Sequence, residues 1–196
     1  MARVIRSRYR WAMSHHGGDP SKHLPRDVLD GALDSRERAP RDHGRVTAIF
    51  TRQRNEGRTA HESLRFTQER GAEGDRWKPR RKGTKNQVTV MEHGVGQLIA
   101  NGQSMALFGD NLVVDLALDA QNLPPGSRVR IGSARFEVTD EPHTGCHKYA
   151  GRFGQDALDA ISREDRVPEH LRGIHFRVLE DGIVSVDDDV IVESRA

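Results

Sequence analysis

RVRIGSARFEVTDEPHTGCHK, residues 128–148, is the stretch whose reading decides the fold. Val129 and Ile131, then Phe136 and Val138, alternate with polar residues about a Gly132-Ser133 turn, which predicts a β-hairpin with one buried face. The second strand runs straight into a polar segment around Cys146, the chain's one cysteine. A β-rich wall and a solitary thiol are therefore adjacent in sequence.

Outward from this hairpin the same period-two pattern recurs. HFRVLEDGIVSV predicts a second hairpin turning at Asp181-Gly182, and DVIVE at 189–193 a last strand. Upstream, NLVVDL at 111–116, QVTVM at 87–91 and RVTAIFT at 45–51 are strand candidates. In the last of these, Val46, Ala48 and Phe50 are assigned to one face and Thr47, Ile49 and Thr51 to the other. EHGVGQLIANG and GQDALDAISRE predict two short helices. Strands this numerous with few helices predict a mainly β, closed or nearly closed barrel, since closure removes exposed edges. The βαβαβ alternation and glycine fingerprint of a dinucleotide fold are absent.

The 196 residues suffice for one domain with a real core. Residues 45–196 are expected to be that domain. Residues 1–44, poor in aliphatic side chains, are expected to form a basic, mobile or loosely docked extension with one helical turn near Val28 to Leu33. No apolar run is long enough for a membrane span or signal peptide, so a cytoplasmic protein without a membrane partner is expected. Residues 1–85 hold 21 Lys and Arg against 11 Asp and Glu, and the remainder 10 against 18, so a basic front half precedes an acidic back half. Such a block attracts anions. Nucleic acid is disfavoured, because the basic residues lack interleaved aromatics or a reader motif.

The polar segment EPHTGCHKYAGRFG sets Cys146 among His143, His147 and Lys148, cationic neighbours that favour a thiolate nucleophile or metal ligand. A zinc site from His143, Cys146 and His147 would need a fourth ligand that the sequence does not offer. A Cys-His hydrolytic pair would need an orienting third group. The 67–86 loop, TQERGAEGDRWKPRRKGTKN, gathers glycines and cations suited to an anion, with Arg76 placed ahead of the Lys and Arg beyond it.

Three segments in order, GAEGDRW at 71–77, LFGDNLVV at 107–114 and LPPGSRVRIGSARFEVTDEPHTGCHK at 123–148, resemble the hallmarks of the MOSC domain family, named after the C-terminal domain of molybdenum cofactor sulfurase. The resemblance spans about 45–193 and implies a MOSC-type β-barrel with a few short helices. It further implies binding of the molybdenum cofactor (molybdopterin), with sulfur transfer or reduction of N-hydroxylated compounds as the activity. A small-molecule substrate and an electron donor or sulfur donor protein would be the partners. A non-enzymatic carrier of cofactor or sulfur is the other reading. On this resemblance Cys146 is the metal ligand or persulfide carrier, with His143 and Lys148 beside it as catalytic groups, and Asp75, Arg76, Asn111 and His147 contact the cofactor. Pyridoxal phosphate enters only by family association, because the longer relatives' desulfurase domain does not fit in this length. The chain departs from the family pattern at Ala72 and Asp110, and KGTKNQVTV stands where some members carry His-Gly-Gly-x-x-Lys.

Overall fold

In the computed structural model, which describes residues 17–79 and 83–196, the deciding hairpin is present as strands β7 (Arg128–Ile131) and β8 (Ala134–Val138). Val129 lies opposite Phe136 and Ile131 opposite Ala134, all four fully buried. To the left of them in the chain stand β1 (His43–Arg52), β2 (Arg58–His61), β3 (Ser63–Thr67), β4 (Gly71–Ala72), β5 (Val88–Glu92) and β6 (Leu112–Val114). To the right stand β9 (Ile174–Glu180), β10 (Gly182–Ser185) and β11 (Asp189–Ser194).

Seven strands close a barrel in the order β1, β11, β7, β8, β9, β5, β6 and back to β1. β11 seals it by pairing with both β7 and β1. Among the described residues only β5 and β6 pair in parallel. Parallel neighbours need a crossover, and this one is helix α2 (His93–Ala100) with a 3-10 turn at Met105–Phe108. β2 extends the wall beyond β1, and β10, β3 and β4 form a small second sheet.

Two cores result. Val46, Ile49, Val90, Leu112, Val129, Phe136 and Phe176 fill the barrel. Outside it, helices α1 (Arg26–Ser35), α2, α3 (His147–Phe153) and α4 (Gln155–Ile161) bury Leu29, Leu33, Ile99, Tyr149 and Phe153 against Met91. β5 is buried at every position because it separates these cores.

Three expectations are corrected. Residues 26–35 form a ten-residue helix whose Leu29 and Leu33 are fully buried, so this part of the front segment is docked through an i, i+4 apolar pair and is no loose extension; residues 1–16 lie outside the described residues. In β1 the register shifts between Val46 and Ala48, making Thr47 the extra residue. Val46 and Ile49 thus share the barrel interior, while Phe50 and Ala48 join a separate cluster outside it. Asp181-Gly182 does not turn a hairpin either: β9 pairs with β5 and β8, whereas β10 pairs with β3. The chain changes sheets there, and the Asp181 carboxylate accepts the Gln68 N–H at 2.8 Å. No helix among the described residues is long and apolar enough to cross a membrane.

Candidate functional site

Cys146 is the N-cap of α3, its thiol free and exposed. The preceding segment, 141–145, has no regular structure, so the end of β8 delivers the thiol to the surface where the barrel meets the helices.

Arg52, Asp75 and Asn111, three residues from three segments, form a lock. Arg52 Nη2 donates to Asp75 Oδ1 at 2.9 Å and Arg52 N to Asp75 Oδ2 at 2.6 Å, while Trp77 N donates to Oδ1 at 2.8 Å. Asn111 Nδ2 adds a bond to Asp75 Oδ2 at 3.0 Å, and Asn111 Oδ1 accepts from Thr89 N and Oγ1. Burial alone would raise the Asp75 carboxyl, but the bonds and charge of Arg52 outweigh it and hold the group below the ordinary carboxylate range. Asp75 and Asn111, expected to contact a cofactor, bond to each other, to Arg52 and to strand ends. They position the loop. Arg76, which follows at once, donates its backbone N–H to Arg52 O at 2.9 Å and leaves its side chain exposed.

Two arginines that the sequence did not single out, Arg58 and Arg152, join Arg52 and Arg76 in one cationic cluster. Arg58, on β2, is half-buried; burial, with repulsion from Arg152, Arg76 and Arg52, pushes its pKa down to about 10. Its Nη1 donates to Gly57 O at 3.0 Å, but its buried Nε has no partner. Gly109 makes room for it: the backbone there has φ +78°, and a β-carbon would stand 3.0 Å from Arg58 Nη2. Arg152, two turns along from Cys146, donates to Leu107 O at 2.8 Å and feels the charges of Glu56 and Cys146. Lys148 forms an ion pair with Glu56, the carboxylate that also lies 3.9 Å from Arg152. One carboxylate thus faces Lys148, Arg58 and Arg152, while Asp75 neutralises Arg52. An excess of positive charge, partly withdrawn from water, remains beside Cys146.

His143 does not belong to this cationic group. It is buried, its Nε2 3.6 Å from Asp110 Oδ1 and its ring 4.4 Å from that of His175. Burial, with the positive charge of Arg172, pushes its pKa well below the usual histidine value. A neutral ring cannot favour a thiolate by charge, so His143 does not have the electrostatic role expected of it. Asp110, in the position where the family pattern has Glu, pairs with Arg172 at 2.7 Å. His147 is exposed on the first turn of α3. Among the described residues no three His, Cys, Asp or Glu side chains gather as metal ligands, so the zinc reading has no cage.

Residues 69–79 form one wall of a groove of about 950 Å³ whose lining includes Arg52, Arg54, Arg70, Arg76, Lys78 and Trp77. Trp77 is held there by its Nε1–H bond to Asn86 at 3.1 Å. Lys85 is occupied elsewhere, by Asp140 at 2.8 Å. Arg80, Arg81 and Lys82 lie outside the described residues.

The model of the MOSC domain matches residues 92–191, just over half of the chain. No curated protein matches. Among solved structures, a hypothetical protein is similar at 22% identity and a TM-score of 0.61, over 79% of this chain and 70% of its own. The YuaD protein from Bacillus subtilis is 15% identical with a TM-score of 0.58, over 76% of this chain and 94% of its own. YiiM from Escherichia coli is 22% identical with a TM-score of 0.54, over 78% and 71% respectively. At these identities the structures establish a shared fold; together with the match to residues 92–191, they show that the chain belongs to the MOSC domain family.

Proposed function

We propose that this MOSC domain binds the molybdenum cofactor, with the Cys146 thiolate as protein ligand to the metal and the arginine-lined groove as seat for the anionic, phosphate-bearing end. The observation that carries this reading is the half-buried guanidinium of Arg58, whose Nε has no hydrogen-bond partner, crowded by Arg152, Arg76 and Arg52, because partly desolvated cations that repel one another become favourable when an anion joins them. The residues fit the group in chemistry: a soft thiolate for molybdenum and forked guanidinium donors for phosphate. When bound, the cofactor supplies a metal centre capable of two-electron redox chemistry or of accepting sulfur. This chain's residues do the rest. Arg58, Arg152 and Arg76 supply the cationic surroundings for the anionic end of the cofactor, and Asp75 with Asn111 fixes the loop on which Arg76 sits. The exposure of Cys146 supports exchange with an electron donor or sulfur donor protein, and reduction of a small molecule or sulfur transfer is the activity that follows.

The test is molybdenum and pterin content after production in a host that makes the cofactor, on wild type, Cys146→Ser and Arg58→Met. Wild type should carry both, Cys146→Ser should lose molybdenum while keeping its melting temperature, and Arg58→Met should lose pterin and metal together. A wild-type protein with neither, or a Cys146→Ser protein that retains molybdenum, would overturn the reading. Turnover with an added electron donor then separates an enzyme from a carrier.

A further inference from the structure

The turn that joins β1 to β2 carries a glutamate where the backbone favours glycine or asparagine. Glu56 has φ +64°, in the left-handed region that side chains with a β-carbon seldom adopt. The turn is closed by its own bonds: Gln53 N donates to Gly57 O at 2.9 Å, Glu56 N to Gln53 O at 3.2 Å, and Gly57 N to Asn55 Oδ1 at 3.1 Å. A costly backbone conformation held this firmly is a pointer to what the residue does.

Both acceptor groups of Glu56 face the cationic cluster. Its carbonyl accepts from Arg58 Nη1, its Oε1 pairs with Lys148 Nζ, and its Oε2 lies 3.9 Å from Arg152 Nη2. Lys148 and Arg152 are four residues apart on α3 and so share one face, which lets a single carboxylate serve both. The Arg152 side chain is 10% exposed and that of Glu56 34%, so the contact is partly withdrawn from water. Arg58 and Arg152 repel each other, and the charge of Glu56 acts against that repulsion on both.

We infer that Glu56 is a built-in competitor for the anion seat, a carboxylate that an incoming anion must displace from Lys148 and Arg152, and that it thereby sets which anions the seat admits. The inference rests on the proposed anion seat, and it involves neither molybdenum nor Cys146. A monocarboxylate offers these cations only what Glu56 already offers from within the chain, at an effective concentration on the order of millimolar. Such an anion gains nothing by entering. A tetrahedral dianion brings twice the charge and oxygens for guanidinium groups on several sides, so it gains more than the displaced pair loses. Glu56 therefore selects dianionic oxyanions, the charge class of a phosphate monoester, over carboxylates.

The probes are sulfate and acetate, titrated into the full chain without cofactor at constant ionic strength and followed by backbone amide resonances in nuclear magnetic resonance spectra. Wild type should show saturable shifts with sulfate at Glu56, Gly57 and Lys148 and none with acetate. Glu56→Gln should bind sulfate about threefold to fivefold more tightly, the weight of one partly exposed ion pair, and should respond to acetate. Glu62→Gln, at an exposed residue just beyond the other end of β2, should match wild type. An ion pair that merely braces the turn predicts the reverse, since its loss would loosen the seat and weaken sulfate binding. Equal or weaker sulfate binding by Glu56→Gln, the same gain in Glu62→Gln, or saturable acetate binding to wild type would overturn the role of Glu56 and leave the anion seat standing. Sulfate shifts absent from both proteins, or centred away from these residues, would overturn both. Asparagine enters the left-handed region more readily than other residues with a β-carbon, so Glu56→Asn makes the same comparison should Glu56→Gln fail to fold.

Discussion

Asn111 Nδ2 donates to Asp75 Oδ2 at 3.0 Å, joining two elements 36 residues apart that the sequence shows only as separate motifs. Each is nearly or fully buried, and Arg52 completes the lock with its guanidinium on the same carboxylate. Asp75→Asn leaves Arg52 without its counter-charge, a loss of about 3–5 kcal/mol for a buried pair broken on one side. The folded carboxyl is held below its ordinary value of 3.8, so its contribution is fully present above that value and disappears as pH falls through the lower folded pKa. Urea midpoints of wild type and Asp75→Asn should differ widely at pH 7 and converge well below pH 4. A gap independent of pH would assign the loss to packing alone.

Arg58 makes the opposite prediction. Its guanidinium is half-buried, repelled by three other arginines and left with an unpaired Nε, an arrangement that costs stability in the absence of a ligand. Arg58→Met keeps the apolar stem and removes the charge, and should hold or raise the melting temperature, by about 1 kcal/mol in stability. Molybdate or phosphate should raise the melting temperature of wild type in proportion to the logarithm of its concentration and that of Arg58→Met much less. Equal anion stabilisation in the two proteins would place the anion elsewhere.

These two residues also mark what was legible in the sequence. Strands announced themselves by alternation, and Cys146, Asp75 and Asn111 stood in recognisable segments. The barrel's closure did not, because it rests on β1 meeting β11 across most of the chain, as His43 opposite Ile191 shows. A bulge at Thr47 and the sheet change at Gly182 likewise depend on partners that local periodicity does not encode. Arg58 and Arg152 carry no local signature; they matter because the fold sets Gly109 against one and the carbonyl of Leu107 against the other. The surplus of positive charge in the first 85 residues was the visible trace of the former, whereas Arg152 lies in the acidic half.

The rings of His143 and His175 lie 4.4 Å apart, tilted by 43°, and burial pushes both below the usual histidine value of 6.5. Groups that stay neutral when folded but take up protons when unfolded contribute stability above pH 6.5 that is lost progressively as pH falls below it. Wild type should therefore lose stability between pH 6.5 and 5, and His143→Phe should flatten that slope while changing stability little at pH 8. An unaltered slope would show that other groups drive the acid sensitivity.

Gly182 tests the sheet change directly. A β-carbon at this position would stand 2.4 Å from Ala134 N and 2.5 Å from Ser133 C, both backbone atoms of the β7–β8 turn region, which a flexible side chain cannot relieve by moving. Ser133 holds the same junction from the other side, its Oγ accepting the Ile183 N–H at 2.8 Å and its N–H donating to Ile183 O at 3.1 Å. Gly182→Ala must push β10 off the turn and stretch those bonds, at a cost of about 1–3 kcal/mol for forced overpacking. A hairpin turn at 181–182, with β9 and β10 paired, would tolerate alanine with far less loss, since it would not bring this residue against Ser133 and Ala134. Chemical denaturation of Gly182→Ala beside Ser133→Ala separates the cases: a large loss in the first and about 1 kcal/mol in the second is expected from the sheet change. Wild-type stability in Gly182→Ala would restore the hairpin.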